Sequence, residues 1–206
     1  MRKADAKKRC DRFVAEINDI QDRARRVRQA QRVLGRAADK RWAFEMLAVN
    51  AVTAWSEFAE DIFYAGINWD SSALSRRLGL ILPEHLSLAL CEALFTTRGF
   101  LDFRSVGELK GEAKKYIGKR HAFASLPSAS GQIIDRLVAV RNYVVHRSRV
   151  ARSAYKSKVL EPEKITTLVD PGRFLLALRS GRSRLEGYLE SMRIAGRAVK
   201  IALPRR

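Results

Sequence analysis

The chain is expected to be all-α, a bundle of four to five main helices, on three observations. Apolar residues recur three and four positions apart over long stretches. No stretch alternates apolar and polar residues as a half-buried strand does. The periodic stretches are separated by clusters of Gly, Pro, Asn and Asp, with no internal repeat or low-complexity tract.

Phe13, Ile17, Ile20, Ala24, Val27 and Leu34 mark a first helix from about Ala4 to Leu34, with Gly35 as its stop. Its opposite face carries Arg23, Arg25, Arg26, Arg28 and Arg32. Trp42, Met46, Val49, Val52, Phe58 and Ile62 form the stripe of a second helix, Ala37 to Ile67, broken by Gly66, Asn68 and Asp70. Ser72 is read as the cap of a short helix ending near Leu78–Gly79. Pro83 fits the first turn of another, Pro83 to Thr97, with Leu86, Leu90 and Leu94 on one face. Ser105 and Glu108 have the spacing of a capping box, opening a helix to about Ile117. Residues 118–129 read as a loop. Gln132 to Arg149 is the next helix, 150–169 reads as irregular around Pro162, and Asp170-Pro171 caps a last helix running to about Val199.

A length of 206 residues fits one domain, 1–206, with basic helices at both ends. A hydrophobic content of 47% excludes a disordered chain. Forty Lys and Arg against 22 Asp and Glu give a net charge of +18. Such a field attracts polyanions, nucleic acid first and an anionic membrane surface second. Cys10 and Cys91 are far apart and read as buried or half-buried thiols in a reducing compartment. With three histidines and two cysteines there is little from which to build a zinc site, so no metal and no cofactor are expected. No apolar stretch suits a secretory signal or a membrane span, so the expected setting is cytoplasmic, without membrane.

The candidate chemistry lies around Arg141. This residue interrupts the apolar stripe Ile134, Leu137, Val138, Val144, Val145. A guanidinium on an apolar face is costly unless it is paired or faces a polar cleft. Asn142 and His146, four apart, share one side of the helix, and His146 lies roughly 140° round from Arg141. A cation, an amide and an imidazole suit phosphodiester cleavage: His146 takes the proton of a ribose 2′-hydroxyl, Arg141 holds the phosphate and Asn142 orients. RNA brings its own nucleophile, so this route needs no metal. On spacing alone the other reading stands beside it, in which His146 makes a structural hydrogen bond and Arg141 pairs with a carboxylate.

The string Arg141-Asn142-Tyr143-Val144-Val145-His146, in a late apolar helix, resembles the R-x(4-6)-H motif of HEPN ribonucleases. Trp55-Ser56-Glu57-Phe58-Ala59-Glu60-Asp61-Ile62 resembles the early-helix pattern W-E-x-φ-φ-E-D-φ of bacterial HEPN groups such as RiboL-PSP, with Ser56 where the first acid stands. The two pieces occur in the family's order. The resemblance implies a helical bundle, a homodimer whose Arg–His motifs line one cleft, and metal-independent endonuclease action on RNA. It also implies a toxin of a toxin–antitoxin or phage-defence system, with an antitoxin protein as a possible partner. A non-catalytic HEPN module that binds RNA or a partner is the alternative. In one subgroup a tyrosine two residues after the histidine is modified; here Ser148 holds that place, so that regulation is not expected.

Glu60, with Glu57 and Asp61, either meets Arg141 across the bundle and orients it or forms a solvated face. Arg147, Arg149, Arg152 and Lys156 follow the motif and are the candidate RNA contacts. The basic faces of the first and last helices, Arg23, Arg25, Arg26 and Arg28 with Arg179, Arg182 and Arg184, either track an RNA backbone or form a solvated charged face. Tyr155-Lys156-Ser157-Lys158 reads as an exposed loop or a stacking clamp. His85 and His121 read as ordinary polar residues.

Overall fold

The computed structural model describes residues 4–30, 36–96 and 103–204. Among them the chain is helical apart from one short two-stranded ribbon. The expected ends of the first and fourth helices, Leu34 with Gly35 and Thr97, lie outside the described residues, as does Arg32.

α1 (Ala6–Gln29) begins where the Asp5 side chain accepts the Lys8 N–H. It buries Cys10, Phe13, Ile17, Ile20 and Ala24, which fall on one face. α2 (Ala37–Trp69) is buried over most of its length because α1 and several of the later helices pack on it. Phe13 stacks on Phe58 at 4.3 Å and meets Trp55 edge-on at 5.9 Å. Trp42, read as core, is 64% exposed, two residues before Phe44, the first buried residue of α2.

α3 (Ser72–Leu78) is followed by α4 (Leu88–Thr96), which starts five residues later than the proline suggests. The reason is competition for the backbone of 83–86. Ser71 donates from its hydroxyl to Pro83 O at 2.5 Å and from its N–H to Glu84 O, and Asn68 Nδ2 donates to Leu86 O at 2.6 Å. Held this way, the segment cannot close a helical turn, and Ser87 caps α4 instead through the Leu90 N–H.

α5 (Val106–Tyr116) has Ser105 as its cap, and Glu108 reaches back to the Arg104 N–H rather than to that of Ser105. After a short 3₁₀ turn, Ala122–Ser125, α6 (Ser128–His146) begins four residues earlier than expected and ends three earlier. It stops where Arg147 takes a left-handed conformation at φ 49°.

The segment 150–169 is not irregular at its start. α7 (Arg149–Tyr155) runs into a π-turn, Lys156–Leu160, and a 3₁₀ turn, Glu161–Glu163. Tyr155, read as exposed, is fully buried, stacks on Tyr143 at 5.1 Å and donates to Val169 O. The expected last helix is two helices, α8 (Pro171–Leu176) and α9 (Arg184–Ala202), split by a hairpin in which Leu178–Arg179 (β1) pairs with Arg182–Ser183 (β2). Ser180 and Gly181 both have positive φ, as a tight primed hairpin turn requires. Ser183 and Glu186 then form a full capping box for α9.

The core is continuous from α1 to α9. Both cysteines are buried in it, and burial pushes the Cys10 thiol up to about 12 and the Cys91 thiol up to about 11. None of the described helices is long and apolar enough to cross a membrane.

α8 docks on α2 through Glu45, which is 7% exposed. Its Oε1 accepts the Gly172 N–H at 3.1 Å, and its Oε2 lies 3.4 Å from Arg147 Nη2. Burial, followed by Asp170, raises the Glu45 carboxyl above its ordinary 4.5; the Gly172 N–H, Arg147 and Arg41 oppose this. The folded chain therefore holds this proton to higher pH than the unfolded chain does. That contribution is fullest below the unfolded value and is lost as pH rises through the raised folded one. Glu45→Gln keeps an acceptor and removes the charge. Urea midpoints of the two proteins are expected to converge at low pH, and the wild type should fall relative to the variant as pH climbs toward neutrality. A difference that does not change with pH contradicts the buried-charge account.

Candidate active site

α2 and α6 cross with a small cleft between them, about 60 Å³ in volume. α2 contributes Val52, Trp55, Ser56 and Ala59, and α6 contributes Val138, Arg141 and Asn142. Both sets have the i, i+3, i+4 spacing of one helix face. Phe103 and Arg104, just before α5, close the third side. Val52, Trp55 and Ala59 are buried and form the floor, while Ser56 and Arg104 are exposed at the rim.

Arg141 is half-buried, and its Nη1 donates to Asn142 Oδ1 at 2.9 Å. Among the described residues neither Arg141 nor Arg104 forms a salt bridge, and the lining holds no carboxylate. Two guanidiniums beside a low-dielectric floor, with no acid to neutralise them, make a site for an anion. Arg141 thus gains its polar cleft within one chain.

His146 is the last residue of α6 and is exposed. It does not line the cleft; it stands one turn beyond Asn142 on the same side of the helix. The helix therefore carries a guanidinium in a small cleft and an exposed imidazole in sequence.

The acids of α2 go elsewhere. Asp61 pairs with Arg9 and Arg12 of α1, the latter at 2.7 Å. Glu60 stands near the Tyr64 hydroxyl one turn on, where, after burial, its charge helps to raise that phenol above its ordinary value. Glu57 is exposed. None of the three lines the cleft; the residues of this stretch that share its lining with Arg141 are Trp55, Ser56 and Ala59. Ser56, which sequence reading treated as a missing acid, and Arg104 are the additions. Arg104 carried no local signal, because only the approach of α5 to α2 and α6 places it.

The basic residues divide into two groups. Arg147 is committed to the fold, through Glu45 and by lying over the Tyr143 ring at 5.3 Å. Arg25 and Arg28 reach Glu186, and Arg23 pairs with Asp19. Arg179 and Arg184 meet Glu163, which also takes Arg136. Arg149, Arg152 and Lys156 are exposed, have no salt bridge among the described residues, and follow the site at helical spacing. Among the described residues no group of three or more His, Cys, Asp or Glu is placed to hold a metal ion.

The geometry therefore offers a cleft with two guanidiniums that have no salt bridge among the described residues, an imidazole one turn beyond it and an exposed basic strip. No family model, no curated protein and no solved structure matches this chain.

Proposed function

We propose that the chain is a HEPN-type, metal-independent endoribonuclease, acting as a homodimer and serving as the toxin of a toxin–antitoxin or phage-defence system. The observation that carries this reading is Arg141: a guanidinium without a carboxylate partner among the described residues, in a cleft between helices, five residues before an exposed histidine. The motif resemblance supplies the reaction class. The net charge of +18 supplies the attraction to RNA.

In this reading the scissile phosphate sits against Arg141 and Arg104, with Asn142 fixing the Arg141 fork. His146 removes the 2′-hydroxyl proton as O2′ attacks phosphorus. The P–O5′ bond breaks, and the departing oxygen takes a proton back from imidazolium. The products are a 2′,3′-cyclic phosphate and a 5′-hydroxyl. A second copy across a two-fold axis brings another imidazole to the same cleft. An antitoxin protein fits the cationic surface if it is acidic. Purified protein in EDTA is expected to fragment tRNA and mixed RNA and to leave DNA of the same sequence intact. Cutting of DNA, or intact RNA, overturns the reading.

A second reading has its own observation: His146 lies outside the cleft lining. A HEPN module that binds RNA or a partner without cutting would need only the cleft and the basic strip. Both readings place Arg149, Arg152 and Lys156 on the RNA backbone. Changing all three to Gln is expected to flatten the slope of log K against log salt by about 2 for single-stranded RNA. An unchanged slope in a filter-binding titration removes the strip from the interface.

A further inference from the structure

A larger cavity, about 350 Å³, opens at the C-terminal end of α2, and it shares no residue with the Arg141 cleft. It lies between the end of α2, α3, the turn at 117–123 and the residues after α9. We propose that it binds a small organic anion, a carboxylate carried on an apolar or aromatic body.

The inner wall is apolar. Ile62, Phe123 and Leu203 are buried there, with Ile117 and Trp69 beside them. A space of this size with a mainly apolar wall and a few polar groups has the form of a small-molecule site. The rim is cationic, formed by Arg76, Lys119 and Arg120. None of the three has a salt bridge among the described residues. Asp70 is the one acid in the lining, and it is already engaged: it accepts the Ser72 N–H at 2.8 Å, and Ser72, with a smaller part from Arg76 and His85, holds its carboxyl below the usual range, which leaves Lys119 and Arg120 unanswered. The rim thus faces the cavity with an excess of positive charge.

His121 gives a second, independent pointer. It lines the cavity, is 7% exposed, and its Nδ1 has no hydrogen-bond partner. Buried polar atoms in folded chains are nearly always satisfied, and the exceptions gather at functional places. Burial, with Lys110, holds this imidazole below its ordinary value, so near neutrality the ring is uncharged and able both to donate and to accept. An anion alone would gain little from the apolar wall, and an apolar molecule alone would leave the rim unanswered. A carboxylate on an apolar body answers both.

The full chain should be titrated with 2-naphthoate by fluorescence and calorimetry, with 2-naphthalenemethanol as the uncharged match and inorganic phosphate as competitor. One saturable site is expected, with the alcohol about tenfold weaker or worse, and no displacement by phosphate. Arg76→Gln/Lys119→Gln/Arg120→Gln, all at exposed or rim positions, should weaken naphthoate by about tenfold or more. Ala202→Trp, at an exposed lining position, should fill the mouth and abolish binding. Urea midpoints close to wild type establish that both variants fold. No saturable binding up to about 1 mM, equal binding of the alcohol, displacement by phosphate, or binding that survives either variant overturns the proposal.

Discussion

Replacing His146 by alanine is expected to slow RNA cleavage by about 10²- to 10⁴-fold, the usual contribution of a positioned acid or base. His146 is exposed at the end of α6, and its side chain makes no hydrogen bond among the described residues, so the change disturbs little of the fold. Its urea midpoint should match wild type, and its RNA affinity should hold. Arg141→Gln should differ in kind. It removes the half-buried guanidinium that faces the cleft, and should cost about 10²- to 10³-fold in kcat together with weaker binding. Single-turnover kinetics on a mapped RNA separate the two effects. If His146→Ala cuts at the wild-type rate while Arg141→Gln loses binding, α6 is a binding element and the histidine is incidental. Ser56→Ala tests the rim of the same cleft, where a small loss is expected.

The largest effect on stability is expected from Gly172→Ala. Gly172 lies in the first turn of α8, against the first turns of α2. A Cβ there would stand 2.4 Å from the Arg41 carbonyl oxygen and 2.7 Å from its carbonyl carbon. Those atoms are backbone inside a helix, and no rotamer change relieves the clash. α8 must withdraw, which lengthens the Gly172 N–H to Glu45 bond and loosens a carboxylate already kept in a poorly hydrated place. Overpacking of this kind costs about 1–3 kcal/mol, and the upper end is expected because two backbones collide. By contrast, Gly187→Ala has nothing within 4 Å of its Cβ and should be neutral or slightly stabilising. Equal urea midpoints for Gly172→Ala and wild type would show that α8 does not rest on α2 as described.

Helix identity was legible in the sequence wherever one face repeated at three and four, as in α1, α2 and α6. Boundaries were less so, because long-range polar contacts set them. The start of α4 was lost to Ser71 and Asn68, which hold the backbone of 83–86 from eighteen or fewer residues away. The hairpin between α8 and α9 was signalled by Ser180-Gly181, but a run of Leu and Arg on either side hid it inside a helical period. Tyr155 looked exposed because its neighbours Lys156, Ser157 and Lys158 are; it closes α7 with its ring stacked inward on Tyr143, while those three stay outside at the start of the π-turn.

The site was legible in part for the same reason. Arg141 was conspicuous because a charge interrupted an apolar stripe, and it lines a cleft. The acids of α2 carried no such mark, since an acidic pair reads alike whether it faces another helix or water. Asp61 faces α1, where Arg9 and Arg12 meet it. Arg104 was invisible before folding because its role arises from the approach of three segments distant in sequence.

The most direct test of the proposed chemistry is the identity of the product ends on a defined oligoribonucleotide, cut in EDTA, beside a copy with a single 2′-deoxy nucleotide at the mapped site. Attack by the neighbouring 2′-hydroxyl predicts a 2′,3′-cyclic phosphate and a 5′-hydroxyl on the ribo substrate, and no cut at the deoxy position. A 5′-phosphate product, or cleavage that continues at the deoxy nucleotide, would contradict it.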